Sequence, residues 1–565
     1  MLLKKKGMIS VRKTVILFCS LILFMLLSDT SYAMKVPKTQ GTFVIRGVTI
    51  IDIRSGELKP DRAVVIEGNK IKQIVNRADV SIPSNVYVVE AKGKYMIPGL
   101  WDMHIHILDN YKVAFPSLLA NGVTGVRDMG ARFEQISQWE NEMEKGALAP
   151  RIVYSGPILD GAPLPLHENI QTVQEAREKV RELKQAGVDF IKVYSYLPAD
   201  IYTAIVDEAK KQEMTVAGHV PNSIGAYRAS NLGQKSLEHL HGISIAASDI
   251  EEKILNAPPS YRDAPFAADL QAIGQHNEKK EQILFDTFKK NNTWQVPTLV
   301  TFKSLINTSP DERSRYVPTE VQANWIKVQE HMKTSNDYRE QLNAAEKIFN
   351  AHLALAGRMH KAGVPILAGT DANMFEGEAL PNLFYGFSLH DELELLVQAG
   401  MTPLEALQSA TIHPAAYLNM TDTLGTIEEG KLADMVLLND NPLADINHIR
   451  NIESVVSNGH LIEKENLRKM LKTYPAPASW SKNKPSALYP IRNIGEEIGA
   501  VVRFDENTRT VSVRKNKYSL EFQLNAKEYT WNGEHYSLNE PIHVINGNAM
   551  ITEELAQALR NWGTE

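Results

Sequence analysis

Two periods alternate along this chain. Between residues 41 and 94, short runs rich in β-branched residues are broken by glycine and asparagine: Phe43, Ile45 and Val48–Ile53, then Ala63–Ile66 ending in Glu67-Gly68-Asn69. Such runs predict a small sheet. Residues 425–462 read the same way, with Gly425-Thr426-Ile427, Asp434–Leu438 and Val455-Val456-Ser457-Asn458-Gly459. The two stretches are expected to pair in space as a small composite β-sandwich, 41–94 with 425–462. Between them, apolar runs alternate with helical stretches, the pattern of a parallel sheet. The runs are Met96–Leu108, Val123–Met129, Arg151–Ser155, Phe190–Ser195, Thr215–Val220, Ser236–His241, Gln295–Val300 and Ile366–Ala372. The simplest arrangement for such a series is a closed barrel, so 95–424 is expected to be a (β/α)8 TIM-type barrel, an α/β fold. The connections at 243–294 and 301–364 are polar and helical in pattern. They either cover one mouth of the barrel or act as spacers.

Past the second flank, 466–486 carries Pro475, Pro477 and Pro485 among serines and lysines, the composition of a linker. The expected module at 487–565 is α+β. Ile491, Ile494 and Ile498 mark a helical face. Val511, Val513, Tyr518, Leu520, Phe522 and Leu524 alternate as strands do. Asn532-Gly533 and Asn546-Gly547 signal hairpins, and Leu555 and Leu559 a closing helix.

The chain's beginning changes the picture. Lys4, Lys5, Lys6, Arg12 and Lys13 precede the apolar run Thr14–Leu27, and Ser31-Tyr32-Ala33 offers small residues for cleavage. Residues 1–33 therefore read as an export signal, and the protein is expected to be secreted or held at the cell surface. The single cysteine, Cys19, falls inside that run. Beyond it, any metal must be held by histidine and oxygen ligands. The formal net charge is −6, and the signal segment is itself cationic, so the rest is more acidic still. No nucleic-acid partner is expected.

Candidate chemistry starts at His104-Ile105-His106 in the first barrel run. On a strand, side chains two apart share a face, so both rings can reach one ion. A lone pair of this kind is weak evidence. Later runs add Lys192, flanked by Ile191 and Val193, then His219, His239 and Asp371. Each alone reads as structural: a lysine reaching solvent, hydrogen-bonded core histidines, an aspartate capping the next helix. Together they place ligands at the ends of five strands, where barrel enzymes keep their catalytic groups.

In that order, His-x-His, Lys, His, His, Asp resembles the amidohydrolase superfamily. The surroundings are similar to its imidazolonepropionase-like and Xaa-Pro-dipeptidase-like branch. The resemblance runs over 41–462 and rests on residues 96–106, 122–128, 363–372, 399–407 and 425–434. It implies two divalent metal ions, zinc first, with manganese or cobalt as alternatives. His104 and His106 would bind one ion and His219 and His239 the other. Carbamylated Lys192 would bridge them, and Asp371 would bind the first ion and move protons. The implied substrate is a small amide or peptide, attacked by water acidified at the metals. A lactonase or esterase on the same site, or a non-catalytic surface-binding protein, are the competing readings.

His241 shares a strand face with His239. The family places its ligand directly after glutamate, as in Glu238-His239, which favours His239. The branch's Ser-Gly-Gly after the lysine is absent: here it is Val193-Tyr194-Ser195-Tyr196. Arg127, Tyr194 and His167 are candidate substrate contacts, but read first as a structural ion pair, core packing and an exposed loop. The C-terminal module resembles the copper-amine-oxidase N-terminal-like domain, on residues 490–502 and 544–550. With only His535 and His543 it offers copper no clustered ligands. An accessory role, such as cell-wall contact, is expected of it. Oligomeric state is not legible in the sequence.

Overall fold

Alternation along β1 (Thr42–Ile51) would fail at one point if the strand were regular. The register against the neighbouring strand shifts between Arg46 and Val48, at Gly47. Gly47 has φ +80°, which a side chain would resist. The bulge lets Phe43 and Ile45, then Val48 and Ile50, all enter one core. This is seen in a computed structural model of the chain. It describes residues 41–164, 166–257, 267–307, 311–334, 338–374, 380–475 and, with short gaps, 488–560. The expected signal segment, 476–486 of the expected linker, and Asn546-Gly547 lie outside the described residues.

Both flanks contribute to one eight-stranded sheet. From the first come β1, β2 (Leu58–Glu67), β3 (Lys70–Asn76), β4 (Tyr87–Glu90) and β5 (Tyr95–Pro98). The barrel strands follow: β6 (Leu100–Ile105), β7 (Val123–Asp128), β8 (Arg151–Tyr154), β9 (Ile158–Asp160), β10 (His167–Asn169), β11 (Phe190–Val193), β12 (Thr215–Gly218), β13 (Ser236–Glu238) and β14 (Trp294–Val296). The second flank gives β15 (Met435–Leu438), β16 (Ile452–Ser457) and β17 (His460–Glu463). The flanking sheet runs β17-β16-β15-β5-β1-β2-β3, with β4 on β1. The join between the two flanks is β15 against β5, antiparallel, Met435 opposite Pro98.

The part between is a TIM-barrel-type α/β arrangement. β6-β7-β8 form one parallel sheet and β10-β9-β11-β12-β13-β14 another. The expected eighth strand is not a ladder. Ile366–Ala372 makes two isolated parallel bridges, Ile366 with Gln295 and Ala372 with Ile105. Backbone bonds accompany them: Leu367 N–H to Gln295 O at 2.9 Å, Met103 N–H to Ala368 O at 2.9 Å and His106 N–H to Ala372 O at 3.0 Å. The segment thus connects the two parallel sheets. Gly369 permits this, since a Cβ there would lie 2.9 Å from the Cβ of His104. The short strands β9 and β10 gave no sequence signal of their own. The first run, expected as one strand, divides at Gly99 between β5 of the flanking sheet and β6 of the barrel.

The expected linker begins later than its composition suggests. Lys464–Met470 is a helix whose Leu467 and Met470 are buried in the main core. Proline and serine density marks a boundary only after these two apolar residues. The chain divides into compact units at Tyr474/Pro475. The second unit has its own core of Ile491, Ile494, Ile498, Val511, Val513, Leu520 and Phe522, joined by Ile551, Leu555 and Leu559. Its first strand, Leu488–Pro490, pairs with Asn548–Thr552 near its end.

Candidate active site

Every expected ligand sits at the C-terminal end of its strand or just beyond it. His104 is the penultimate residue of β6 and His106 follows the strand. Lys192 is in β11, His219 follows β12, and His239 follows β13. Asp371 comes from the bridging segment. The rings form a row: His106 to His104 at 5.6 Å between centroids, His104 to His239 at 4.5 Å, His239 to His219 at 4.9 Å. Asp371 Oδ1 lies 3.3 Å from His104 Nε2 and 3.5 Å from His106 Nε2. Donor atoms of His104, His239 and Asp371 all fall within 4.8 Å of one another. His241 stands outside this group, its ring 5.5 Å from that of His219 and its Nε2 bonded to Asn222 Oδ1 at 2.9 Å.

The four rings share one arrangement. Each uses Nδ1 on the protein: His104 on Glu238 at 2.8 Å, His239 on Thr298 Oγ1 at 2.7 Å, His219 on Ser195 Oγ at 2.8 Å, and His106 on the Gly130 carbonyl at 3.3 Å. That leaves each Nε2 for the centre, as outer partners of metal-binding imidazoles do. Burial, reinforced by the Lys192 charge, lowers the pKa of His104, and takes those of His219 and His239 well below the ordinary histidine value. The neutral ring is the form that ligates a metal. Among these groups one atom stands out: His104 Nε2 is buried and, although Asp371 Oδ1 lies 3.3 Å away, it makes no well-aligned hydrogen bond. A divalent cation fits what these donors lack, and the set of imidazole nitrogens and a carboxylate oxygen suits zinc.

Lys192 is 1% exposed, and burial pulls its pKa down to about 8 despite the opposing charges of Glu238 and Asp371. No protein group is found accepting a hydrogen bond from its Nζ among the described residues. Burial would push the Asp371 carboxyl up, but the neighbouring histidines hold it well below the usual range.

The sequence names several neighbouring residues without giving their roles. Glu238, used there only as a marker for His239, is fully buried between His104 and Arg127. Arg127 Nη2 contacts its two oxygens at 2.9 and 3.0 Å. Arg127 also donates to the Met103 carbonyl at 2.7 Å and to Tyr417 at 2.8 Å, so it is the buried structural ion pair expected of it. Tyr194 stacks on His219 at 3.9 Å and 28°. His167 is not in an exposed loop. It lies in β10, bonded to Asp160 at 3.1 Å and edge-on to Tyr194. Its register opposite β9 fixes this, and three-residue strands leave no periodicity to read.

Three non-glycine residues here have left-handed backbones: His239 (φ +61°), Asp371 (φ +57°) and Thr298 (φ +46°). For a β-branched threonine this is a strained conformation, and such strain gathers at functional sites. Thr298 holds His239 through its hydroxyl. Thr298→Val keeps the shape and removes the oxygen, so affinity for a divalent metal ion is expected to fall about 10–100-fold, while Thr298→Ser keeps it. Competition against a chelator measures both. Equal affinity in the valine variant would show that the hydroxyl does not orient the ring.

The Amidohydrolase family profile matches residues 95–462. The chain belongs to the amidohydrolase family. Members are hydrolases acting on carbon–nitrogen bonds and are generally metal-dependent. Ochratoxinase of Aspergillus niger is 24% identical over 460 residues, 69% of this chain and 80% of that enzyme. The imidazolonepropionase of Fusobacterium nucleatum is 31% identical over 145 residues, 24% of this chain and 32% of that one. Among solved structures, a Xaa-Pro dipeptidase with methionine in its active site shares the fold. Its TM-score is 0.54 at 22% identity, covering 75% of this chain and 100% of the other. A Copper amine oxidase N-terminal domain profile matches residues 474–559.

This amidohydrolase is expected to need only its first unit for chemistry. All six candidate ligands precede residue 372, and the second unit carries a core of its own. A chain cut after Glu465 would sever the helix bearing Leu467 and Met470, so the cut belongs after Tyr474. That shortened chain should keep kcat/KM within about tenfold, roughly 1.4 kcal/mol of transition-state stabilisation. A larger loss, or loss of metal, would mean that residues 475–565 shape the site.

Proposed function

We propose that this protein hydrolyses an amide or peptide-like C–N bond of a small substrate at a two-metal centre. His104 and His106 would hold one ion, and His219 and His239 the other. Lys192, carbamylated, would lie between them, with Asp371 on the first. The observation that carries the reading is the convergence of His104, His239 and Asp371 donor atoms within 4.8 Å of one another, with the buried His104 Nε2 making no well-aligned hydrogen bond. What divalent ions supply in such a set is Lewis acidity, towards a carbonyl oxygen and towards water. The chain's own residues do the rest. Glu238, Thr298, Ser195 and the Gly130 carbonyl hold the rings with Nε2 inward. Asp371, kept ionised by the histidines around it, accepts the proton of the attacking water as the C–O bond forms. It returns that proton to the nitrogen as the C–N bond breaks.

Carbamylation of Lys192 joins its neutral amine to carbon dioxide and releases a proton. The lowered pKa and the unpartnered Nζ support it. Zinc is the metal favoured by nitrogen and oxygen donors without thiolate. The cationic and apolar pattern of residues 1–33 supports an exported enzyme, with the C-terminal domain as a surface-contacting accessory. Dipeptides and N-acyl amino acids are the first substrates to test, in keeping with the names of the relatives.

The test combines metal analysis with a panel of dipeptides, N-acyl amino acids, cyclic amides and lactones. The expected result is about two metals per chain and amide turnover that stops on chelation and returns with zinc. Fully loaded protein that opens lactones alone, or turns over nothing, would overturn the reading.

A further inference from the structure

Just past β14 the chain turns at Thr298 into the helix Leu299–Ile306. That helix begins inside the protein: Thr298, Leu299 and Val300 are all buried. Its first N–H groups cannot turn to water, so they need acceptors from the protein. A threonine at this position ordinarily supplies one, by turning its hydroxyl oxygen back on the first turn. Thr298 does not. It makes no such cap, its backbone is left-handed at φ +46°, and its Oγ1 lies 2.7 Å from His239 Nδ1. With Nε2 kept for the centre, a neutral His239 ring carries its proton on Nδ1 and donates it to that oxygen. The oxygen that would cap the helix is engaged on the ring.

The missing acceptor comes from another element. The helix Phe387–Gln398 packs against Leu299–Ile306, and its fully buried Glu392 accepts the Val300 N–H on Oε2 at 2.8 Å. Among the described residues this is the one hydrogen bond its side chain makes, since Oε1 has no partner. Burial raises the Glu392 pKa to about 8, against the N–H groups of Val300 and Leu299. At neutral pH the group is mostly the uncharged acid, whose carbonyl oxygen accepts the bond as a carboxylate oxygen would.

We propose that Glu392 is a positioning residue for the metal centre: it caps the helix in place of Thr298 and so leaves the Thr298 oxygen to His239. The inference rests on the metal-centre reading above and adds to it a residue that acts through Thr298. Without Glu392 the buried Val300 N–H has no acceptor. The ordinary threonine cap, free of the left-handed strain, then becomes the better arrangement. The hydroxyl leaves the ring, and His239 Nε2 is no longer held towards the centre.

The experiment uses the full-length chain and measures zinc affinity by competition against a chelator, in the wild-type and Thr298→Val backgrounds. Glu392→Leu fills the space without an acceptor, and affinity is expected to fall about 10–100-fold, as when the outer partner itself is lost. Glu392→Gln, whose carbonyl can take the Val300 N–H, should restore it. In the Thr298→Val background the oxygen is already gone. There Glu392→Leu should change affinity by less than about twofold, because two changes acting through one contact do not add. A purely structural role would cost the same in both backgrounds. Should the leucine variant fail to fold, Glu392→Asp, one methylene shorter, withdraws the acceptor and should show the same dependence on Thr298. Equal losses in both backgrounds, no loss in the wild-type background, or no restoration by glutamine would overturn the inference and leave the metal-centre reading standing. Wild-type protein that takes up no zinc would overturn both. Tight zinc binding with no substrate of the panel turned over defeats the hydrolase reading alone, since affinity is read without turnover.

Discussion

Asp371→Asn is expected to lower kcat by about 10²–10⁴-fold, the range for a removed acid–base group, with little change in KM. The fold should survive. Asp371 has φ +57°, and asparagine is among the few residues that enter that region readily. The amide keeps the size of the carboxyl and one oxygen near His104 and His106, but it cannot carry the proton. The competing role, capping a helix, finds no helix starting at residues 371–374. Single-turnover kinetics on a substrate from the panel separates the chemical step from binding. A near-normal kcat would remove Asp371 from the proton path.

Lys192→Ala should abolish metal retention and turnover together. The expected fall in kcat/KM exceeds about 10³-fold, beyond the roughly 10–100-fold for losing an outer hydrogen bond to a ligand. Only an anionic, two-oxygen form of this side chain can serve two cations, and alanine offers nothing to carbamylate. Lys192→Met is the companion variant, since it fills the same buried space without a nucleophilic nitrogen. If packing alone mattered, methionine would restore metal and rate. Metal uptake by the wild-type protein should also depend on bicarbonate, and intact-mass analysis should show the adduct on the residue 192 peptide. Full metal content and turnover in either variant would remove Lys192 from the centre.

Much of this was written in the chain locally. His104 and His106 share a face because strand geometry fixes every second side chain, and that needs no tertiary information. The alternation of apolar runs with helices fixed the α/β class. The two flanks announced their kinship through the same β-branched, glycine-terminated runs, and β5 and β15 do pair. The core of the second unit was likewise legible as Ile491, Ile494 and Ile498 at helical spacing.

What folding decided is of another kind. The eighth run looks like a strand by composition, yet it meets its neighbours through two isolated bridges, with Gly369 allowing it to lie against His104. The end of the first unit could not be read from proline content, because Leu467 and Met470 are apolar residues whose partners lie far away in sequence. That His239 joins the candidate cluster while the Nε2 of His241 is taken by Asn222 depends on Thr298 and Asn222, one just past another strand's end and one on a loop. Glu238 and Arg127 are charged residues in apolar runs, and only their meeting in the barrel explains how either is buried. Local periodicity determines which face a side chain takes. Which groups converge on that face, and which protonation state each then keeps, is set by burial and by neighbours dozens to hundreds of residues away.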